Sequence, residues 1–159
     1  GHSAADGGPV AMGELCQSAA RAAQPAMEKA GLTLTVRGEA GEIPGEAALL
    51  QTLLMNLLDN ARKASSPGGE VLLEGAPTEN GYRLAVTDHG RGIPASELDR
   101  ITEPFYMVDK SRSRAEGGAG LGLALCKEIA AVHGGVLRFT SQEGVGTTVE
   151  VTLKGARHE

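Results

Sequence analysis

The chain has 159 residues, enough for one domain with a buried core. Hydrophobic residues make up 41% and aromatics only 3%, with no Trp, so aliphatic side chains must fill the interior. The net charge of -5 gives no electrostatic footprint for nucleic acid. Two cysteines, Cys16 and Cys126, make no disulfide framework. No apolar run has the length of a membrane span and no signal peptide is visible. The 23 glycines are an excess that asks for turns or close backbone approaches.

Gly1-His2-Ser3 reads as a cloning scar, and residues 1–9 are set aside as a lead, which leaves a single domain over 10–159. Residues 11–30 read as a helix with Leu15, Ala19, Ala22, Ala23 and Met27 on its apolar side, closed by Gly31 and strained at Pro25. Period-two alternation predicts a strand over 32–36. The Pro44-Gly45 turn leads into the strongest helix, 46–65, with Leu49, Leu50, Leu53, Leu54, Leu57, Leu58 and Ala61 on one face. Strands over 71–75 and 82–87 form a hairpin around Glu79-Asn80-Gly81. A short helix starts near Ser96, and 106–118 is a polar loop ending in glycines. The spacing predicts a helix over 120–133 with Leu121, Leu125, Ile129 and Val132 on one face, ended by Gly134-Gly135. A last hairpin, 136–140 and 147–153, turns at Glu143-Gly144. The whole implies a two-layer α/β (α+β) sandwich. A mixed, mainly antiparallel sheet of about five strands carries three helices on one face.

Three stretches have chemistry in them. At 100° per residue, Asn56, Asn60 and Lys63 fall within about a 60° arc at the edge of the apolar face of their helix. A carboxamide oxygen suits a hard cation and an ammonium suits phosphate, although a polar helix boundary has the same composition. Asp88, Gly90 and Gly92 follow a strand directly, which gives a carboxylate for an exocyclic amine beside a tight turn, or simply a strand-to-helix turn. Gly118, Gly120 and Gly122 open a helix, where free N–H groups and the positive dipole end cradle phosphate. Their spacing fits neither the dinucleotide fingerprint nor the P-loop.

In order along the chain, LLMNLLDNARK (53–63), DHGRGI (88–93), Pro104-Phe105-Tyr106, GAGLGL (118–123) and Gly146-Thr147-Thr148 resemble the N, G1, F and G2 boxes and the closing Gly-Thr motif of sensor histidine kinase ATP-binding domains. These domains belong to the wider Bergerat-type ATPase superfamily, and the resemblance spans about 11–155. It implies ATP and Mg²⁺ as ligands, with Asn60 as the metal ligand, Asn56 beside it and Lys63 on the phosphates, together the catalytic set. It further implies that Asp88 reads the adenine amino group and that Gly90, Gly92 and Ile93 shape the adenine pocket. Gly118, Gly120, Leu121 and Gly122 would line the nucleotide, residues 105–118 would form a lid anchored by Phe105, and Thr148 would support the site behind Asp88.

Two positions depart from the pattern. Ala64 stands where relatives often carry an aromatic ring, and Met107 where many carry an arginine. Lys110, Arg112 or Arg114 are candidates to replace that charge, or belong to a solvated basic loop. Asn56 occupies the position of the water-activating glutamate of the ATPase members. An amide cannot act as a general base, which favours phosphoryl transfer over hydrolysis. His2, His89, His133 and His158 lack the acceptor context, so the acceptor is expected on a separate dimerisation domain of a parent kinase. A response regulator would act downstream, and the domain would be cytoplasmic in a membrane-anchored parent. The alternatives are a serine kinase of the anti-sigma-factor type and a degenerate nucleotide-binding module. The long lid, the Pro104-Phe105-Tyr106 box and Asn56 count against the first; Asn60, Asp88 and the glycines of 118–122 count against the second.

Overall fold

The computed structural model describes residues 8–90 and 119–155, the last segment with backbone only over 119–122. Short strand β1 (Pro9–Ala11) leads into helix α1 (Met12–Lys29). Strands β2 (Thr33–Gly38) and β3 (Glu42–Pro44) follow, then helix α2 (Ala47–Ala64). The hairpin β4 (Glu70–Thr78) and β5 (Gly81–Asp88) precedes helix α3 (Ala119–Val132), and strands β6 (Val136–Gln142) and β7 (Gly146–Lys154) close the chain. The main sheet has the order β2-β4-β5-β7-β6. Its β2–β4 pair is parallel and the other three are antiparallel. The parallel pair follows from connectivity, since a strand returning through a helix crossover re-enters in the same direction.

Strand alternation explains why only one face is covered. Val71 and Leu73, Tyr82, Leu84 and Val86, and Val149, Val151 and Leu153 are buried and lie in cross-strand register. They face the helix layer with Leu50, Leu53, Leu54, Leu57 and Leu58 of α2 and Met12, Cys16, Ala19 and Met27 of α1. The opposite face is polar, with Arg83 paired to Glu150 at 2.7 Å and the Thr87 and Thr148 hydroxyls 3.1 Å apart. The expected sandwich, a mixed and mainly antiparallel five-stranded sheet with three helices, is the one observed among the described residues.

Three details differ from the sequence expectation, while the first helix and its Gly31 close are as expected. Pro9 pairs with Pro44, and Gly8 accepts from the Gly45 amide, so the lead set aside through residue 9 runs two residues into the fold. β1 and β3 form a two-stranded clamp that three-residue segments are too short to announce by periodicity. Pro25 lies inside α1, which continues to Lys29, and Gly31 closes it at φ 75° with Leu32 N–H on Met27 O. In α3 the buried side is Cys126, Ile129 and Ala130, while Leu125 and Val132 are about 40% exposed. That helix is apolar on most sides, so spacing alone could not select its inner face. Part of the glycine excess is packing. Tyr82 is fully buried and donates to Glu39 O at 2.6 Å, and a Cβ on Gly41 or Gly75 would strike its ring or hydroxyl.

Candidate functional site

Three of the sequence motifs converge at one end of the helix layer. Asn56, Asn60 and Lys63 share one side of α2, each partly exposed at the edge of the leucine face. Asp88 ends β5 and is 6% exposed, and its Oδ1 accepts the Gly90 N–H at 2.8 Å. Gly90 packs directly on the last turn of α2, where a Cβ would fall on the Ala64 carbonyl oxygen. Asn60 is one helical turn before Ala64, so the Asp88 loop lies beside the Asn60–Lys63 turn.

The glycine-rich start of α3 comes to the same place. The His133 ring reaches the Glu46 amide at 3.0 Å, and Cys126 Sγ lies 3.7 Å from Leu53 O. Seven residues forward on α2 therefore match seven backward on α3, and the two helices are antiparallel. One further step of seven sets Asn60 level with Ala119, the first residue of α3. Gly120, Leu121 and Gly122 are thus in the opening turn of α3, where backbone N–H groups have no helical acceptor. Gly92, Ile93, Phe105, Gly118, Met107 and the lid with Lys110, Arg112 and Arg114 lie outside the described residues, as does the short helix expected near Ser96.

Charge and hydrogen bonding differ along the α2 stripe. Asp59 binds Arg62 at 2.6 Å and Lys63 at 3.2 Å. Burial pushes the Asp59 carboxyl up, but the Arg62 and Lys63 cations outweigh it and hold the group below the usual carboxylate range. Asn60 Nδ2 is buried without a hydrogen-bond partner among the described residues. Leaving such a donor unpaired costs about 1–3 kcal/mol, a reason to expect an acceptor from a ligand there. No group of three His, Cys, Asp or Glu side chains fit for a metal occurs among the described residues.

Thr148 is not behind Asp88. It points to the far face of the sheet and meets Thr87. The residue opposite Asp88 is Thr147, 7% exposed, whose hydroxyl contacts Ser141 Oγ at 2.8 Å. Counting strand parity back from buried Val149 and Val151 would have identified it. His133, set aside in the sequence as non-catalytic, has a structural place. Its Nε2 accepts the Glu46 N–H, so its Nδ1 carries the proton given to Ile129 O at 2.8 Å. The ring ties the end of α3 to the start of α2.

Residues 45–157 match the family model described as histidine kinase-, DNA gyrase B-, and HSP90-like ATPase. The sensor-like histidine kinase SenX3 of Mycolicibacterium smegmatis is 38% identical over 129 residues, 80% of this chain and 34% of that protein. The sensor histidine kinase WalK of Bacillus subtilis is 42% identical over 103 residues, 64% of this chain and 17% of that protein. The chain therefore spans about a third or less of the length of these relatives. The structure of the mycobacterial sensor histidine kinase MprB superposes with a TM-score of 0.78 at 29% identity, covering 96% of this chain and 99% of that one. The catalytic domain of the histidine kinase ThkA superposes at 0.80 with 20% identity, 94% and 95% covered, a likeness of fold. With the asparagine stripe, the Asp88 turn and the α3 start gathered at one end of this sandwich, the chain belongs to the histidine kinase-, DNA gyrase B-, and HSP90-like ATPase family, whose domains bind ATP.

Proposed function

We propose that this chain is the catalytic, ATP-binding domain of a sensor histidine kinase, passing the γ-phosphoryl group of ATP to a histidine on a dimerisation domain of its parent protein. The observation that carries this reading is Asn56, an amide one turn before Asn60 at the edge of the convergence of α2, Asp88 and α3. A hydrolase needs a base at the attacking water, whereas an acceptor imidazole brings its own nucleophilic nitrogen and needs positioning and charge stabilisation. The relatives named as sensor kinases support the same choice over a serine kinase or a binding module.

In this reading Asp88 accepts from the adenine amino group with Thr147 beside it, and Gly90 gives the base its close approach. The opening turn of α3 with Gly120 and Gly122 offers N–H groups to the phosphates. Lys63 exchanges Asp59 for phosphate, which costs little because a partly exposed ion pair contributes only about 0–1 kcal/mol. Asn60 would hold Mg²⁺ through its carboxamide oxygen, a hard donor suited to that ion, and its Nδ2, without a partner among the described residues, would donate to phosphate. When bound, the ion neutralises phosphate charge. Gly92, Ile93, Phe105, Gly118 and Leu121 complete the proposed nucleotide site. A response regulator is the onward recipient, and the domain works on the cytoplasmic side of a membrane-anchored parent. Among the described residues no helix is long and apolar enough to cross a membrane.

The test supplies the parent's dimerisation domain in trans with γ-labelled ATP and Mg²⁺. Acid-labile label should appear on that domain and not on this chain. Label on this chain, or brisk phosphate release without transfer, would overturn the proposal.

A further inference from the structure

Asp59, Arg62 and Lys63 form a three-charge cluster near the end of α2. Arg62 makes two contacts, from Nε at 3.2 Å and from a terminal guanidinium nitrogen at 2.6 Å, and both fall on Asp59 Oδ1. The Lys63 ammonium lies 3.2 Å from the other oxygen, Oδ2. The two cations thus hold different oxygens, and one can leave while the other stays. They also stand on different sides of the helix. Lys63 is about 60° around the helix from Asn60, on the stripe with Asn56, whereas Arg62 is about 200° from Asn60. Arg62 instead lines the groove between α1 and α2 with Ala22, Ala26, Met27 and Met55. Asp59 lies between the two cations and touches both. The Lys63 side chain is 17% exposed and that of Arg62 30%, so water and salt screen the cluster less than a fully exposed pair.

We infer that Arg62 is a positioning residue for the phosphate side of the site: by keeping the Asp59 carboxylate paired on the side toward α1, it releases Lys63 to the phosphates of ATP. The inference rests on the proposed role of Lys63 at the phosphates. Without Arg62, a Lys63 that turned to phosphate would leave a bare carboxylate behind it. That carboxylate would compete with phosphate for the ammonium and would repel the phosphate charge. With Arg62 in place the carboxylate stays neutralised whichever way Lys63 points, and Lys63 brings a full positive charge to the stripe. Arg62 works through Asp59 and touches no nucleotide.

The experiment measures dissociation constants of ATP with Mg²⁺, by titration calorimetry, and of adenosine, which has the base but no phosphate, by NMR titration. The proteins are the native chain, Arg62→Gln, Asp59→Asn and the double variant. Arg62→Gln should lower the ATP-to-adenosine preference by about threefold to tenfold. Asp59→Asn alone should change it by less than about threefold, because the charge it removes is already neutralised. In the Asp59→Asn background Arg62→Gln should have no effect beyond about twofold, since no carboxylate remains to be held. Arg138→Gln makes the same change in net charge at an exposed position on the outer face of the sheet and should leave the preference as it is. An Arg62→Gln variant that weakens ATP and adenosine equally, or neither, overturns the inference, because a structural role would not move the ratio. An equal loss in both Asp59 backgrounds overturns it as well, since Arg62 would then act on the nucleotide by itself. So does an equal loss from Arg138→Gln, which would show net charge at work. Lys63→Ala separates the two levels. If it lowers the preference while Arg62→Gln does not, only the Arg62 inference falls. If it leaves the preference intact, the phosphate contact of Lys63 is wrong and the inference falls with it.

Discussion

Replacing Asp88 by Asn tests the base contact without disturbing the turn that carries it. In the native chain the carboxylate Oδ1 holds the Gly90 N–H at 2.8 Å. An asparagine oxygen keeps that bond, so fold stability should change by under about 1 kcal/mol. In the proposed site, the change removes the carboxylate charge and gives the side chain an N–H₂ donor where the base edge would also donate. Loss of a charge-assisted bond costs about 1.5–3 kcal/mol, which is a tenfold to more than hundredfold loss of affinity. Titration calorimetry with ATP and Mg²⁺ should show that loss, and a thermal melt of the free protein should stay close to the native one. Unchanged affinity would remove Asp88 from the site. Lost affinity together with a melting point lowered by many degrees would show that the turn, and not the base contact, had been broken.

Other outcomes follow from the packing. Gly90→Ala would drive a methyl into the Ala64 carbonyl, backbone against backbone, so the urea midpoint should fall by the equivalent of about 1–3 kcal/mol; a change below about 0.5 kcal/mol would mean that the loop moves aside freely. Burial pushes the Cys16 thiol up to about 11, against a smaller lowering by the Tyr82 hydroxyl, and burial pushes Cys126 up to about 12. At pH 8 neither should react with a thiol reagent in the native protein, and both should react in guanidinium; native-state labelling of either would contradict its burial. Asp59 titrates below its unfolded value of about 3.9, so its contribution is complete above that pH and lost as pH falls through the lowered folded value. The group is 45% exposed and the effect is small, under about 1 kcal/mol, and Asp59→Asn should flatten the stability curve below about pH 4 without changing its slope at neutral pH.

Most of the fold was legible because its elements carry their own periods. The seven apolar positions of 46–65 specify one face of α2, and six of them are buried, with only Leu49 exposed. The β4–β5 hairpin announces itself through Glu79-Asn80 between alternating strands. Legibility failed where local pattern is absent or ambiguous. The β1–β3 clamp depends on a contact between segments some thirty residues apart in sequence, which no window senses. The inner face of α3 depends on where α2 lies, because Leu125 and Cys126 are equally apolar and only packing distinguishes them. At the site, the stripe of Asn56, Asn60 and Lys63 could be read from helix geometry. Thr147 could have been read from strand parity, but the Gly-Thr-Thr run offers two hydroxyls and the neighbouring strand decides between them.

The same sheet parity joins the fold to its chemistry. A two-layer sandwich leaves one sheet face in water, and residues of that face, such as Arg83, Glu150 and Thr148, pair with one another. The other face is committed to leucine and valine until its last row, where Val149 and Val86 give way to Thr147 and Asp88. Polar groups at that row are nearly as buried as the core, yet they lie where α2 ends, α3 begins and the leucine layer stops. There a carboxylate and a hydroxyl keep fixed directions because the ladder holds their backbone and Gly90 is pinned against Ala64. Pre-set direction is what lets a few hydrogen bonds discriminate among bases, since groups already ordered by the fold lose little further freedom on binding. The phosphate side is organised differently. Lys63 is shared with Asp59 in a partly exposed pair, and the Asn60 amide has no partner among the described residues, so this wall has interactions to exchange and not merely to offer. Under the proposed function, base recognition would fall to the rigid sheet end and phosphate handling to the helix end, the division expected of a site that keeps its nucleotide in place while the terminal phosphoryl group leaves.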